Sequence, residues 1–136
     1  MTDVKDQGGC GSCWAFAATS AIEGTIGVNN KQVSERFSEQ QSVDCTRNTK
    51  ENEKRFGKNY GMWGCGGGWM APSWEFMHDQ GAMKNEDYPY KARNQACAHD
   101  ETKTIGRTKN WGIDGRNNVK KMKDRLKLQP GAVALL

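Results

Sequence analysis

The chain has 136 residues, 35% of them hydrophobic, with a formal net charge of +4, five cysteines and two histidines. That length holds one domain with a modest core, and no apolar run approaches the roughly 18 residues that span a bilayer. The opening residues, MTDVKDQ, show neither the basic segment nor the apolar region of a secretory signal.

In chain order, Gly8, Gly9 and Gly11 predict a tight loop. From Ser12 the pattern turns helical, with Ala15, Ala18, Ile22 and Ile26 on one face and Gly24 and Gly27 weakening the end. A second helix is expected from Ser38, where SEQQ offers a capping box closed by Gln41, to about Cys45. The stretch TRNTKENEKRFGKNYGMWG, residues 46–64, has the composition of a long polar surface loop. GCGGG, residues 64–68, is too glycine-rich for regular structure. Pro72 is expected to open a third helix, PSWEFMHDQ, which Gly81 closes. After DYPY the chain is predicted irregular or extended to about Ile113.

The basic excess is concentrated late: from Glu101 onward there are nine Lys or Arg against three Asp or Glu. Most of it lies in NNVKKMKDRLKLQ, where Val119, Met122 and Leu126 form one stripe of an amphipathic helix and the lysines a solvated face. Nothing like a nucleic-acid module accompanies them, so no nucleic-acid partner is expected. An apolar strand, GAVALL, should follow. There is no internal repeat and no interdomain linker.

An odd number of cysteines leaves one over. Cys10, Cys13, Cys45, Cys65 and Cys97 allow two bridges and one free thiol. A thioredoxin-type pair carries its Trp before the first Cys, whereas Trp14 follows the second. A zinc site wants a second close pair, and Cys45, Cys65 and Cys97 stand apart. A lone Cys13 would suit a buried core thiol, but the stretch around it points to nucleophilic chemistry. A thiol attacks as its thiolate, and the N-terminus of a helix, with its unpaired N–H groups and dipole, favours negative charge. Cys13 falls at that position. The glycines leave its sulfur open, and Gln7 can fold back across them so that its amide N–H and the Cys13 backbone N–H converge as an oxyanion hole.

The string QGGCGSCWAF is similar to the active-site segment of papain-like cysteine peptidases. SEQQSVDC, GCGGGWM, GAM and DYPY follow in the order of that family's landmarks, and together they cover nearly the whole chain. The resemblance implies an α+β fold: the mainly helical, Cys-bearing lobe plus the first strand of a β-barrel-like lobe. It implies Cys13 as nucleophile, Gln7 as oxyanion donor, and the bridges Cys10–Cys65 and Cys45–Cys97. Gly67 and Gly68 match the strip where bare backbone pairs with an extended substrate. Trp69, Met70 and Ala134 match the pocket for the second residue before the scissile bond. The implied partners are peptide or protein substrates and inhibitors of the cystatin type, with neither cofactor nor metal. Two disulfides suit a lysosomal, vacuolar or extracellular setting.

Three features depart from the family pattern. Gly66 stands where the family commonly has Asn, and the stretch from Cys45 to Cys65 is longer than in papain itself. The third concerns the general base, which is expected with its Asn roughly 130–150 residues after the nucleophile, beyond Leu136. His78 and His99 lie too early and are expected to be surface or packing residues. Residues 1–136 are therefore expected to form a partial peptidase domain with the His/Asn lobe largely missing. The alternative is an inactive papain-like protein that binds or regulates through the cleft.

Overall fold

The computed structural model describes residues 3–30, 35–114 and 118–133. Its first element, α1 (Cys13–Asn30), is the helix that the alanine and isoleucine stripe predicts. Ala15 and Ala18 are fully buried, and Ile22 and Ile26 pack against a cluster of Phe37, Met77 and Ala82. Gly24 does not weaken the helix. A Cβ there would lie 2.9 Å from Pro130 Cγ, so the glycine lets the chain after the last helix cross close over α1.

Ser38 caps α2 (Glu39–Cys45), its Oγ accepting from Gln41 N at 2.9 Å. The reciprocal half of the expected capping box is not made. Ser38 N instead donates to Met83 O, while the Gln41 carboxamide donates to Gly81 O and accepts from Met83 N, each at 3.0 Å. All of α2 is buried, although Glu39, Gln40, Gln41, Ser42 and Asp44 are polar. Such burial is tolerable only when each group is hydrogen-bonded, and here each one is. Gln40 accepts from Lys91 N and donates to Arg93 O, and Asp44 accepts from Gln95 N and Tyr88 Oη. Ser42 pairs with Ser73. A short polar helix thus organises the irregular chain between residues 81 and 99.

The same helix anchors the N-terminal segment. Lys5, whose side chain is only 7% exposed, places its ammonium 2.5 Å from Glu39 Oε1 and 2.7 Å from Glu23 Oε1, which joins residues 3–7 to both α1 and α2. Thr19 Oγ1 also donates to Glu39, and Phe37 N donates to Glu23.

The expected polar loop contains a helix, α3 (Lys50–Phe56). Thr49 caps it by accepting from Asn52 N, Glu51 and Glu53 lie in its first turn, Lys54 and Arg55 in its last, and Gly57 ends it at φ 65°. Residues 64–66 form a single 3₁₀ turn. The next helix, α4 (Met70–Asp79), starts two residues before Pro72. Proline is accepted there because the first-turn N–H groups have no intrahelical partner in any case.

β1 (Ala82–Met83) and β2 (Thr104–Gly106) form a short antiparallel pair that the periodicity does not predict. The basic helix, α5 (Val119–Leu126), is present, capped by Asn118. Its Val119, Met122 and Leu126 are all exposed. The predicted GAVALL strand is not seen over residues 131–133, which have no regular structure. Its remainder, including the candidate pocket residue Ala134, lies outside the described residues.

Candidate active site

The glycine loop that leads into α1 is pinned both by local bonds and by the distant Cys65. Gly11 N donates to Cys65 O at 3.0 Å, and a Cβ at Gly11 would sit 2.6 Å from that oxygen, so only glycine permits the approach. Cys10 and Cys65 form a disulfide at this contact, and a second joins Cys45 to Cys97. The Ser12 carbonyl accepts from Ala15 N and Phe16 N, which makes Ser12 the entry to α1 and Cys13 its first residue. Cys13 is the free cysteine and is exposed. The first N–H groups of a helix lack partners and point outward along the axis, so the thiol stands where a developing negative charge is favoured.

Gln7 does fold back over the glycines. Its Nε2 donates to Cys10 O at 2.9 Å, and that carbonyl also accepts from Ser12 N at 2.8 Å. The turn between them is set by Asp6, whose Oδ1 accepts from Gly8 N, with Gly8 at φ 60°. Tyr90 reaches the same corner from the far side: its hydroxyl lies 2.7 Å from Gln7 O and 2.6 Å from Ser12 Oγ, and its ring packs edge-on against Phe16.

Trp14 is buried and donates from Nε1 to Gly64 O at 3.2 Å. Its indole also forms the floor under Gly68, where a Cβ would lie 2.7 Å from the ring. One side chain thus holds the glycine strip against the helix that carries Cys13. Within the strip the two glycines differ. Gly67 spends its N–H on Gly64 O and its carbonyl on Trp63 N. Gly68 makes no backbone hydrogen bond to another described residue, which leaves its N–H and C=O available.

The candidate pocket pair is split. Trp69 is 52% exposed, whereas Met70 is half-buried against the cluster of Cys10, Trp14, Ala15, Val43 and Met62. Trp63, on the other flank of the turn, is 59% exposed. The sequence reading did not single it out; a tryptophan directly before a glycine run, with no apolar periodicity to bury it, was the available signal.

Neither histidine joins Cys13. His78 is exposed near the end of α4, its Nδ1 3.1 Å from Asp79 Oδ1. His99 is buried against Phe76 and Phe56, and its Nδ1 accepts from Gln41 Nε2 at 2.8 Å. Burial, assisted by the Arg55 charge, holds the His99 imidazole below its ordinary value. Among the described residues there is no group of His, Cys, Asp and Glu that would hold a metal, and no helix long and apolar enough to cross a membrane.

Solved cysteine proteinases share this architecture. The chain superposes on a digestive procathepsin L 3 of Tenebrio molitor with a TM-score of 0.65 and 34% identity, covering 79% of this chain and 31% of that one. A cysteine protease of Carica candamarcensis in complex with E-64 gives 0.71 at 28% identity, covering 95% and 55%. The model of the papain family cysteine proteases matches residues 1–135, and the chain belongs to that family. Digestive cysteine proteinase 3 of Homarus americanus is 43% identical over 101 residues, and a cathepsin L-like protein of Caenorhabditis elegans 45% identical over 107. These alignments cover 74% and 78% of this chain but 28% of each relative, so the chain spans about that share of their length. The fold is the α+β papain type, represented among the described residues by its helical part and one two-stranded sheet.

Proposed function

We propose that the whole protein is a papain-like cysteine endopeptidase in which Cys13 is the nucleophile. The observation that carries this is the exposed, unpaired Cys13 at the start of α1, at the end of a glycine loop whose Cys10 carbonyl accepts from the Gln7 carboxamide. In the reaction the Cys13 thiolate attacks a peptide carbonyl carbon, and the C–S bond forms as the carbonyl electrons move onto oxygen. The Gln7 N–H and the Cys13 backbone N–H stabilise that oxyanion. Collapse breaks the C–N bond, the leaving amine takes a proton from an imidazolium, and water then hydrolyses the thioester. Gly68 offers one N–H and one C=O to an extended substrate. The exposed Trp69, with Trp63 across the turn, favours an apolar side chain at the second residue before the scissile bond, and Met70 closes the inner end of that surface.

Neither histidine within residues 1–136 bonds to Cys13, so the imidazole is proposed to come from elsewhere in the whole protein. His99 is buried and bonded to Gln41, and His78 faces Asp79 on the outer surface. Residues 1–136 on their own are therefore proposed to carry the nucleophile, oxyanion donor and backbone strip of a partial domain without turning over. Peptides and proteins are the proposed substrates, cystatin-type proteins the proposed inhibitors, and an oxidising compartment (lysosomal, vacuolar or extracellular) the proposed setting.

The test compares this chain with one extended to the length of its relatives, both assayed on a peptide amide substrate. The extended chain should turn over and its Cys13→Ala variant should not, and the short chain should lose on the order of 10⁴-fold or more in kcat. Equal turnover by the short chain would make His78 or His99 the base. An extended chain that binds peptides without cleaving them would favour an inactive binding protein.

A further inference from the structure

Tyr90 lies more than eighty residues from Gln7 in the chain, yet its hydroxyl touches both arms of the site. The direction of each bond follows from donor counting. The Gln7 carbonyl can only accept, so the single Tyr90 hydroxyl proton goes to it at 2.7 Å. The 2.6 Å contact with Ser12 must then be a bond from Ser12 Oγ–H to Tyr90 Oη. Ser12 has a competing acceptor, Cys10 O, at 3.4 Å, and the shorter contact wins. The contacts close a ring in which the Ser12 hydroxyl donates to Tyr90 and Tyr90 to the Gln7 carbonyl, while Gln7 Nε2 and Ser12 N both donate to Cys10 O. The two hydroxyls in series, Ser12 and Tyr90, polarise one another.

A carboxamide nitrogen has two N–H groups. Cys10 O takes one, which fixes the plane of the group and directs the second. That orientation depends on where the Gln7 backbone sits, and the backbone of Gln7 is held by Tyr90.

We propose that Tyr90 is a positioning residue for the oxyanion donor, setting the Gln7 carboxamide against Cys13 through the Ser12–Tyr90–Gln7 chain. This rests on the reading of Gln7 as oxyanion donor. Tyr90 touches no reacting atom. Its loss should therefore appear in the step that builds negative charge on oxygen and leave both the thiol's own reactivity and substrate binding alone.

The experiment uses the chain extended to the length of its relatives, with Tyr90→Phe, Gln7→Ala and the double variant. Tyr90→Phe keeps the ring against Phe16 and deletes only the hydroxyl. Loss of one well-placed hydrogen bond should lower kcat on a peptide amide by about 3- to 10-fold with KM unchanged. Alkylation of Cys13 by iodoacetamide, a displacement that forms no oxyanion, should keep its rate. In the Gln7→Ala background the same change should cost nothing further. Ser12→Ala, which removes the donor to Tyr90, should give a smaller fall of the same kind and guards against a folding defect in the first variant. Three results overturn the proposal: unaltered kcat in Tyr90→Phe, an equal loss when Gln7 is already Ala, or alkylation falling in parallel with kcat. If Gln7→Ala itself keeps normal kcat, the oxyanion reading fails and Tyr90 loses its role with it. A large loss in Gln7→Ala beside none in Tyr90→Phe sinks the Tyr90 proposal alone.

Discussion

Gln7 donates one carboxamide N–H inside the chain, to Cys10 O, and keeps the other. Replacing it with Ala should lower kcat about 10²–10³-fold with little change in KM, because the lost bond exists chiefly in the transition state. Steady-state kinetics on a peptide amide would show this, and near-normal kcat would remove the role. Gly68→Ala should fail differently: its methyl would meet the Trp14 ring at 2.7 Å, so the strip must lift off the helix and KM should rise. His99 carries a prediction about pH. Its folded form binds a proton less readily than the unfolded chain, so its contribution to stability is whole above the unfolded value near pH 6.5 and is lost as pH falls toward the folded one. The urea midpoint should fall between about pH 7.5 and about pH 5.5. His99→Gln, whose carbonyl oxygen can accept the bond from Gln41, should flatten that slope; an unchanged slope would assign it to another group. Asp44 acts in the opposite sense at lower pH. Burial raises its carboxyl above 3.8, so protonation favours the folded state and the benefit fades as pH rises from there.

Among the elements, α3 was fully written in the sequence and still missed. Thr49, the acidic first turn, the basic last turn and Gly57 are all helix signals, but with no apolar stripe the segment has the composition of a loop. Gly57→Ala should cost about 1 kcal/mol, measured by denaturant titration, since the space around it is open and only the left-handed backbone is strained. The opposite failure is α2, whose start at Ser38 was legible and whose environment was not. Five polar residues in seven suggest an exposed helix, and nothing local reveals that the partners of Gln40, Gln41 and Asp44 lie forty or more residues further on. The capping box failed for the same reason, because a distant backbone claimed Gln41. The glycine loop and Cys13 were legible because their telling residues cluster within ten positions, Gln7 to Phe16, although the loop's anchors at Gly64 and Cys65 lie fifty or more residues on. Tyr90 was not, since its two contacts are long-range.

At the scale of the whole molecule, two bridges of sequence separation 55 and 52 tie the chain into overlapping loops and leave one thiol. A folded, non-reduced sample should titrate a single thiol, and removing either bridge should cost roughly 2–5 kcal/mol. Five titratable thiols, or a Cys10–Cys13 bridge in a peptide map, would contradict this. The sequestered Lys5 side chain has a consequence of another kind, because trypsin cuts after lysine and must seize the side chain to do so. While the ammonium is held between Glu23 and Glu39 the Lys5–Asp6 bond is beyond its reach, and only molecules whose leading segment has come away can be nicked there. Cutting at that bond in the native protein would therefore count the fraction of molecules with Gln7 off station. It should be slow in the wild type and rise in Glu39→Gln, and rapid cutting of the intact protein would mean that the segment is not held at all.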